Sequence, residues 1–280
     1  MNDRKALWWQ EMTAEAVIAH AKQDDIAVLP LGAIEQHGPH CPCGDDDYNA
    51  IGMAELLSKK TGVMLLPCPM YGSHPYHHWN MPGNIPLTYE THIGLVMDIV
   101  RGATVAGFNK FIILSAHGQV SSTIVAVHKL GMEGIFTLSL HWYDFLRDQQ
   151  EVLQMGMWHA GEAETSVALY LFPEFVDMSK ASKGGGTPLV DRRFIIGPGM
   201  PAQPGTMYHF EGTFARPEHI ELKNGIIGDA TLATVEKGEI LVTRLVDYMA
   251  DLIEDIRSKY APGVKPIETP PLDESPWFSE

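Results

Sequence analysis

Hydrophobic positions along this chain follow two rhythms, short unbroken apolar runs and longer stretches with apolar residues three and four apart. The runs "DIAVLPLG" (25–32), "VMLLPCP" (63–69), "KFIILS" (110–115) and "GIFTLSL" (134–140) read as buried strands, because a strand covered on both faces has no polar side to show. Between them, "YNAIGMAELLSKKTG" (48–62) and "TYETHIGLVMDIVRGATVAG" (88–107) have helical spacing. The first closes on Gly62, and the second places Thr88 as N-cap and Gly107 past its end. Further helices are predicted over 120–132, over 142–154, within "WHAGEAETSVALYLF" (158–172) and over 230–258. Strands alternating with helices predict an α/β fold: a single three-layer domain with a mostly parallel sheet flanked by helices. That domain is expected over 1–260. The Gly- and Pro-rich region 180–228 reads as long loops, and the Pro-rich tail 261–280 as disordered or as an arm lying on a neighbouring subunit.

Composition narrows the partners. An apolar fraction of 45% supplies a sizeable core, and a formal net charge of −15 argues against nucleic acid and anionic membranes, whose phosphates need clustered Lys and Arg. A small-molecule substrate is expected. With no apolar run long enough for a membrane span and no apolar signal core in "MNDRKALWWQEMTAEAV", a cytoplasmic location is expected. Three cysteines cannot all pair. Cys41 and Cys43 are expected as packing residues and Cys68 as core.

Chemistry gathers at strand ends. In "LPLGAIEQHGPHCPCGDDD" (29–47), Glu35 and His37 are two apart and can face one side of extended backbone. Asp46 follows after a turn, and its acidic run reads equally as a ligand or as a solvated turn. His117 and Gln119 follow the strand "FIILS" in the same way. A third segment, "HAGEAETS", offers His159, Glu162 and Glu164 near a helix start. Carboxylates with imidazoles suit Zn²⁺, Mn²⁺ or Fe²⁺, and open α/β sheets bind ligands beyond the carboxyl ends of their strands. "HPYHHW" (74–79) and "HWYDF" (141–145) read as pocket walls or as half-buried loop aromatics. His78, Trp79, Gln119, Trp142 and Trp158 are the substrate-pocket candidates.

Together "PLGAIEQHGPHCPCGDD", "SAHGQ", "HAGEAETS" and "NGIIGDATLATVEKG" resemble the creatininase (creatinine amidohydrolase) family from about residue 5 to 257. The resemblance implies one α/β domain, often assembled into hexamers, with two divalent metal ions in each active site. It implies Glu35, His37, Asp46 and His117 as metal ligands, Asp46 as the bridge and Glu164 as a fifth ligand. His159 matches a histidine that handles protons at the leaving nitrogen, and Glu162 is a second proton-transfer candidate. The chain departs from the family pattern at Gln119, where creatininase proper carries Glu. It also reads "HHWNMPGN" where "EHxxFPGT" is common, and has Cys41 and Cys43 where many members carry leucine. The implied activity is hydrolysis of a small, cyclic amide. Ring opening of a cyclic keto-polyol such as an oxidised inositol is the alternative, and a metal- or ligand-binding protein without turnover is a third reading.

Overall fold

Five parallel strands form the sheet: β1 (Leu7–Trp8), β2 (Ile26–Leu31), β3 (Met64–Leu65), β4 (Lys110–Ser115) and β5 (Phe136–His141), in spatial order β1-β3-β2-β4-β5. The computed structural model describes residues 5–75, 78–79, 81–146, 149, 151–185, 195–196, 208–209 and 224–267. Every residue of β2 and β4 is buried, as continuous apolar runs require. Alternate side chains divide between two cores. Ile26, Val28, Ile112 and Leu114 pack under α2 (Asp45–Thr61), α6 (Glu162–Leu171) and α7 (Val235–Lys259). Ala27, Leu29, Leu31, Phe111 and Ile113 pack under α1 (Ala14–Ala21), α3 (Tyr89–Thr104) and α4 (Val120–Met132). These are the three layers.

β4 and α4 match their predicted ranges, and Thr88 caps α3 by accepting from Thr91 N. Several expectations are corrected. α2 begins at Asp45 rather than 48, since three carboxylates sit favourably against the exposed amides of a first turn. β3 pairs over two residues, because Pro67 and Pro69 cannot donate to a ladder. The helix predicted over 142–154 ends early: α5 covers only Trp142–Phe145. Downstream, Gln154 N and Met155 N donate to the Glu162 carboxylate instead of to helical carbonyls. α7 starts at Val235, with Thr234 as its cap. Within the region read as loops, Lys183–Gly184 pairs antiparallel with Gly228–Asp229, and Ile195–Ile196 pairs parallel with Tyr208–His209. Most of 186–223 and all of 268–280 lie outside the described residues.

β2, β4 and β5 end together, with Leu31 opposite Ser115 and Ser115 opposite His141. The loops leaving that edge carry the polar cluster. Among the described residues no helix is long and apolar enough to cross a membrane.

Candidate metal centre

Gly32 sets the geometry at the end of β2. A Cβ there would lie 2.4 Å from Asp47 N and 2.5 Å from Asp47 Cα, so only glycine lets the first turn of α2 abut the strand end. Asp45, Asp46 and Asp47 are consequently all buried, and the acidic run is no solvated turn. Asp45 accepts from Asn49 Nδ2 at 2.7 Å, and Asp47 accepts from the Cys68 thiol at 3.6 Å. Asp46 faces the centre. Its Oδ1 lies 3.4 Å from His37 Nε2 and its Oδ2 3.0 Å from His117 Nδ1.

Around Asp46 the other donors fall into overlapping groups. His37 Nε2 is 3.6 Å from Glu164 Oε2, and His117 Nδ1 is 3.1 Å from Glu35 Oε2. His74 Nδ1 and His159 Nδ1 each lie 3.6 Å from a Glu35 oxygen, and His78 Nδ1 contacts Glu35 directly. Two donors each about 2.1 Å from a shared ion stand roughly 3.0–3.4 Å apart at octahedral to tetrahedral angles. The spacings of 3.0–3.6 Å are therefore close to the edges of coordination polyhedra. Among the described residues His37 Nε2, His117 Nε2, Asp46 Oδ2 and both nitrogens of His74 make no well-formed hydrogen bond. Such groups are costly to bury unpaired, and a divalent cation would satisfy them. The residues fit a metal.

Second contacts aim these donors. His37 Nδ1–H donates to Glu35 O at 3.0 Å, which aims Nε2 at Asp46 and Glu164; metal-binding histidines are commonly oriented so. Glu164 Oε2 accepts from Ala160 N at 2.6 Å. Ala160 holds φ at +51°, a left-handed conformation that costs a non-glycine residue of order 1 kcal/mol and here turns its N–H onto that carboxylate. His159 Nε2 has two partners, Gln36 O at 2.8 Å and Gln36 Nε2 at 2.9 Å. One accepts and the other donates, so the ring keeps a partner whichever nitrogen carries its proton.

The packed carboxylates leave their mark on proton affinity. Burial alone would lower His37, but Asp46 and Asp45 outweigh it and raise it to about 10. Burial lifts Glu164 to about 8 and Asp45 and Asp47 to about 7. Asp46, despite burial, is held low by the imidazoles of His37 and His117. A cluster this dense carries protons where a cation would otherwise sit.

Of the residues singled out from sequence, Glu35, His37, Asp46, His117, Glu164 and His159 converge, with His78 beside them. Gln119 stays apart: its amide donates to Gly32 O at 3.2 Å and Ser115 Oγ at 3.3 Å, so Glu164 accompanies His37 and Asp46. Glu162 is not brought to the cluster. Its carboxylate accepts from Gln154 N, Met155 N and Lys237 Nζ, the last at 2.5 Å. Trp142 lies in the core, with its indole N–H on Ala116 O at 3.2 Å. Trp79 donates to His74 O at 3.1 Å, and Trp158 is half-buried against Gly228. His77 lies outside the described residues. The cysteine expectations change: Cys43 is exposed, and Cys41 and Cys68 are half-buried free thiols. The residue that sequence reasoning under-read is His74. Its place in a His-rich segment was visible, but its approach to Glu35 was not.

A carboxylate–imidazole cluster beyond the carboxyl ends of a parallel sheet is the setting of a metal-dependent enzyme, and the chain's relatives make that enzyme a hydrolase. The model of the Creatininase family, creatinine amidohydrolase, matches residues 10–253; this chain belongs to that family. It is 32% identical over 275 residues to the 3-dehydro-scyllo-inosose hydrolase of Thermotoga maritima, covering 93% of this chain and 86% of that protein. To the creatinine amidohydrolase of Pseudomonas putida it is 26% identical over 271 residues, covering 89% and 95%. A crystal structure of creatinine amidohydrolase superposes with a TM-score of 0.72 at 24% identity, covering 92% of this chain and all of that one. Solved creatininases of this fold include an Mn form and a mutant of Zn–Zn type.

Proposed function

We propose that this hydrolase opens a cyclic keto-polyol, an oxidised inositol or a close analogue, by hydrolysing a ring C–C bond beside a ketone. The observation that carries the reading is the imidazole wall. His78 and His159 each direct a ring nitrogen at Glu35, hydrogen-bonding groups suited to a ring that bears hydroxyls and carbonyls. Trp142, a candidate wall for a flat heterocycle, packs in the core. The name of the Thermotoga relative supports the same substrate class.

Glu35, Asp46 and His117 would hold one divalent ion, and His37, Asp46 and Glu164 a second. Bound there, such ions would supply Lewis acidity and bring the pKa of a bound water down towards about 7. The water oxygen ends on the carbonyl carbon, the C–C bond breaks, and the departing carbon takes a proton. In a ring whose second ketone adjoins the departing carbon, that ketone carries the electron pair as an enolate until the proton arrives, and the product is an acyclic keto acid. His159 is placed to move that proton: its Nδ1 faces Glu35, while its Nε2 can either donate to or accept from Gln36. General acid–base help of this kind contributes roughly 10²–10⁴-fold.

The test is turnover of chelated and Mn²⁺- or Zn²⁺-reloaded protein on cyclic keto-polyols, creatinine, other cyclic amides and short peptides. One carboxylic acid per polyol consumed, with no amine released and with restoration by metal, is expected. Amine release from an amide substrate, with the polyols untouched, would instead establish the amidohydrolase reading.

A further inference from the structure

His74 is the most tightly built group in the cluster that no role yet explains. It is 1% exposed; its ring approaches the Ile34 backbone, but among the described residues neither nitrogen makes a well-formed hydrogen bond. A histidine that merely fills space normally pairs its nitrogens well, since a buried polar atom left poorly paired costs much of its desolvation. Its ring is edge-on to His117, with centroids 4.6 Å apart and planes at 68°, and its Nδ1 is 3.6 Å from Glu35 Oε1. Ligand atoms of Glu35, His74 and His117 all lie within 4.8 Å of one another.

The backbone that presents it is clamped from three sides. Gly72 passes so close that a Cβ there would lie 2.4 Å from Gln119 Oε1 and 2.7 Å from Gly32 O. Ser73 Oγ bonds Ser122 Oγ at 2.7 Å, and Ser122 Oγ lies 2.8 Å from His92 Nδ1. The carbonyl of His74 accepts from Trp79 Nε1 at 3.1 Å and Tyr89 OH at 3.4 Å. Gln119 and Trp79 thus act on the site through the His74 loop. A side chain held so firmly, with its donors aimed at a carboxylate ligand and too far away to bond it, has the setting of a ligand to an ion between them.

We propose that His74 is a further protein ligand of the centre formed by Glu35, Asp46 and His117, giving that centre two imidazoles and two carboxylates. The inference rests on the reading that these residues hold a divalent ion. Two nitrogen donors shift preference towards Zn²⁺ or Fe²⁺ over Mg²⁺ and make the two centres unequal: this one is nearly closed, while that of His37, Asp46 and Glu164 is the more open.

Titration of the chelated full-length chain with Zn²⁺ against a chromophoric chelator, repeated with Co²⁺ followed by its visible absorption, tests this. Wild type is expected to take two ions per chain. His74→Asn and His74→Ala should weaken one of them by about 100-fold or more, beyond the 10–100-fold typical of outer contacts, and alter the Co²⁺ bands of that ion alone. The second ion and the apo melting temperature report that the variants fold. Unchanged affinities and bands in both variants, or equal weakening of both ions, would overturn the assignment of His74. Failure of wild type to bind any ion would instead sink the metal reading itself.

Discussion

Glu162 and Glu164 are two residues apart at the start of one helix and have opposite fates. Glu164 faces His37, while Glu162 is sealed against Lys237 and two backbone amides. Glu162→Gln should therefore act on stability. Removing one partner of a buried, hydrogen-bonded charge pair costs about 3–5 kcal/mol, and urea denaturation should read a loss of that order while Zn²⁺ affinity stays at the wild-type value. A large fall in metal affinity at unchanged stability would show that this carboxylate serves the site after all. The pH dependence has a definite sign. His37 near 10, Glu164 near 8 and Asp45 and Asp47 near 7 are all raised above their unfolded values. The stability they lend is fully present below those unfolded values and is lost as pH rises through the folded ones. Asp45 and Asp47 have given up most of theirs by about pH 7, so Glu164 and then His37 should make the chelated protein melt at progressively lower temperature from pH 7 to 10. Metal-loaded protein should gain relative to it over the same range, because ions displace those protons and bind more tightly as they leave. Parallel melting curves for the two forms would refute the cluster as the binding site.

At the scale of elements, the junction between β2 and α2 controls whether the ligands meet. Gly32→Ala drives a methyl into the backbone of Asp47, and the helix must retreat from the strand end. Overpacking of this kind costs roughly 1–3 kcal/mol, and a displaced Asp46 should weaken metal binding in step. Calorimetric titration that found wild-type affinity in Gly32→Ala would mean that the first turn of α2 is not what aims Asp46. Legibility in the sequence divides along the same line between local and tertiary causes. β4 and α4 could be read residue for residue, since an unbroken apolar run and a helical period are local signals. The strand-end placement of Glu35, His37 and His117 was legible for the same reason. That no helix reaches 154 was not: the amides of 154 and 155 are claimed by Glu162, a carboxylate from the next element. Nor was the withdrawal of Glu162, whose partner Lys237 is 75 residues away. The position of His74 depends on Gly72 sliding past Gln119 and Gly32, an approach that no spacing in the chain announces.

Across the whole molecule the two edges of the sheet divide the labour. The carboxyl edge holds the unpaired donors. The opposite edge is sewn shut by Lys110 at the start of β4 and Asp25 just before β2, 0% and 2% exposed and 2.6 Å apart. Lys110 Nζ also donates to Asn109 Oδ1 at 2.9 Å and, more weakly, to Ala261 O at 3.4 Å. Asp25 Oδ2 accepts from Gly263 N at 2.8 Å. The first residues of the Pro-rich tail therefore dock on this chain's own buried ion pair. Lys110→Met strands Asp25 and should cost about 3–5 kcal/mol. Ending the chain at residue 260 removes one acceptor and one donor and should cost about 1–3 kcal/mol. Because the tail and Lys110 share Asp25, the two changes should be non-additive, the double variant losing less than the sum. Zn²⁺ affinity should not move in any of the three, since six strand residues, about 20 Å, separate this pair from the cluster. Urea denaturation of the four proteins decides it: a coupling near zero would mean that the tail does not belong to the pair, and a change in metal affinity would mean that the two edges are not independent.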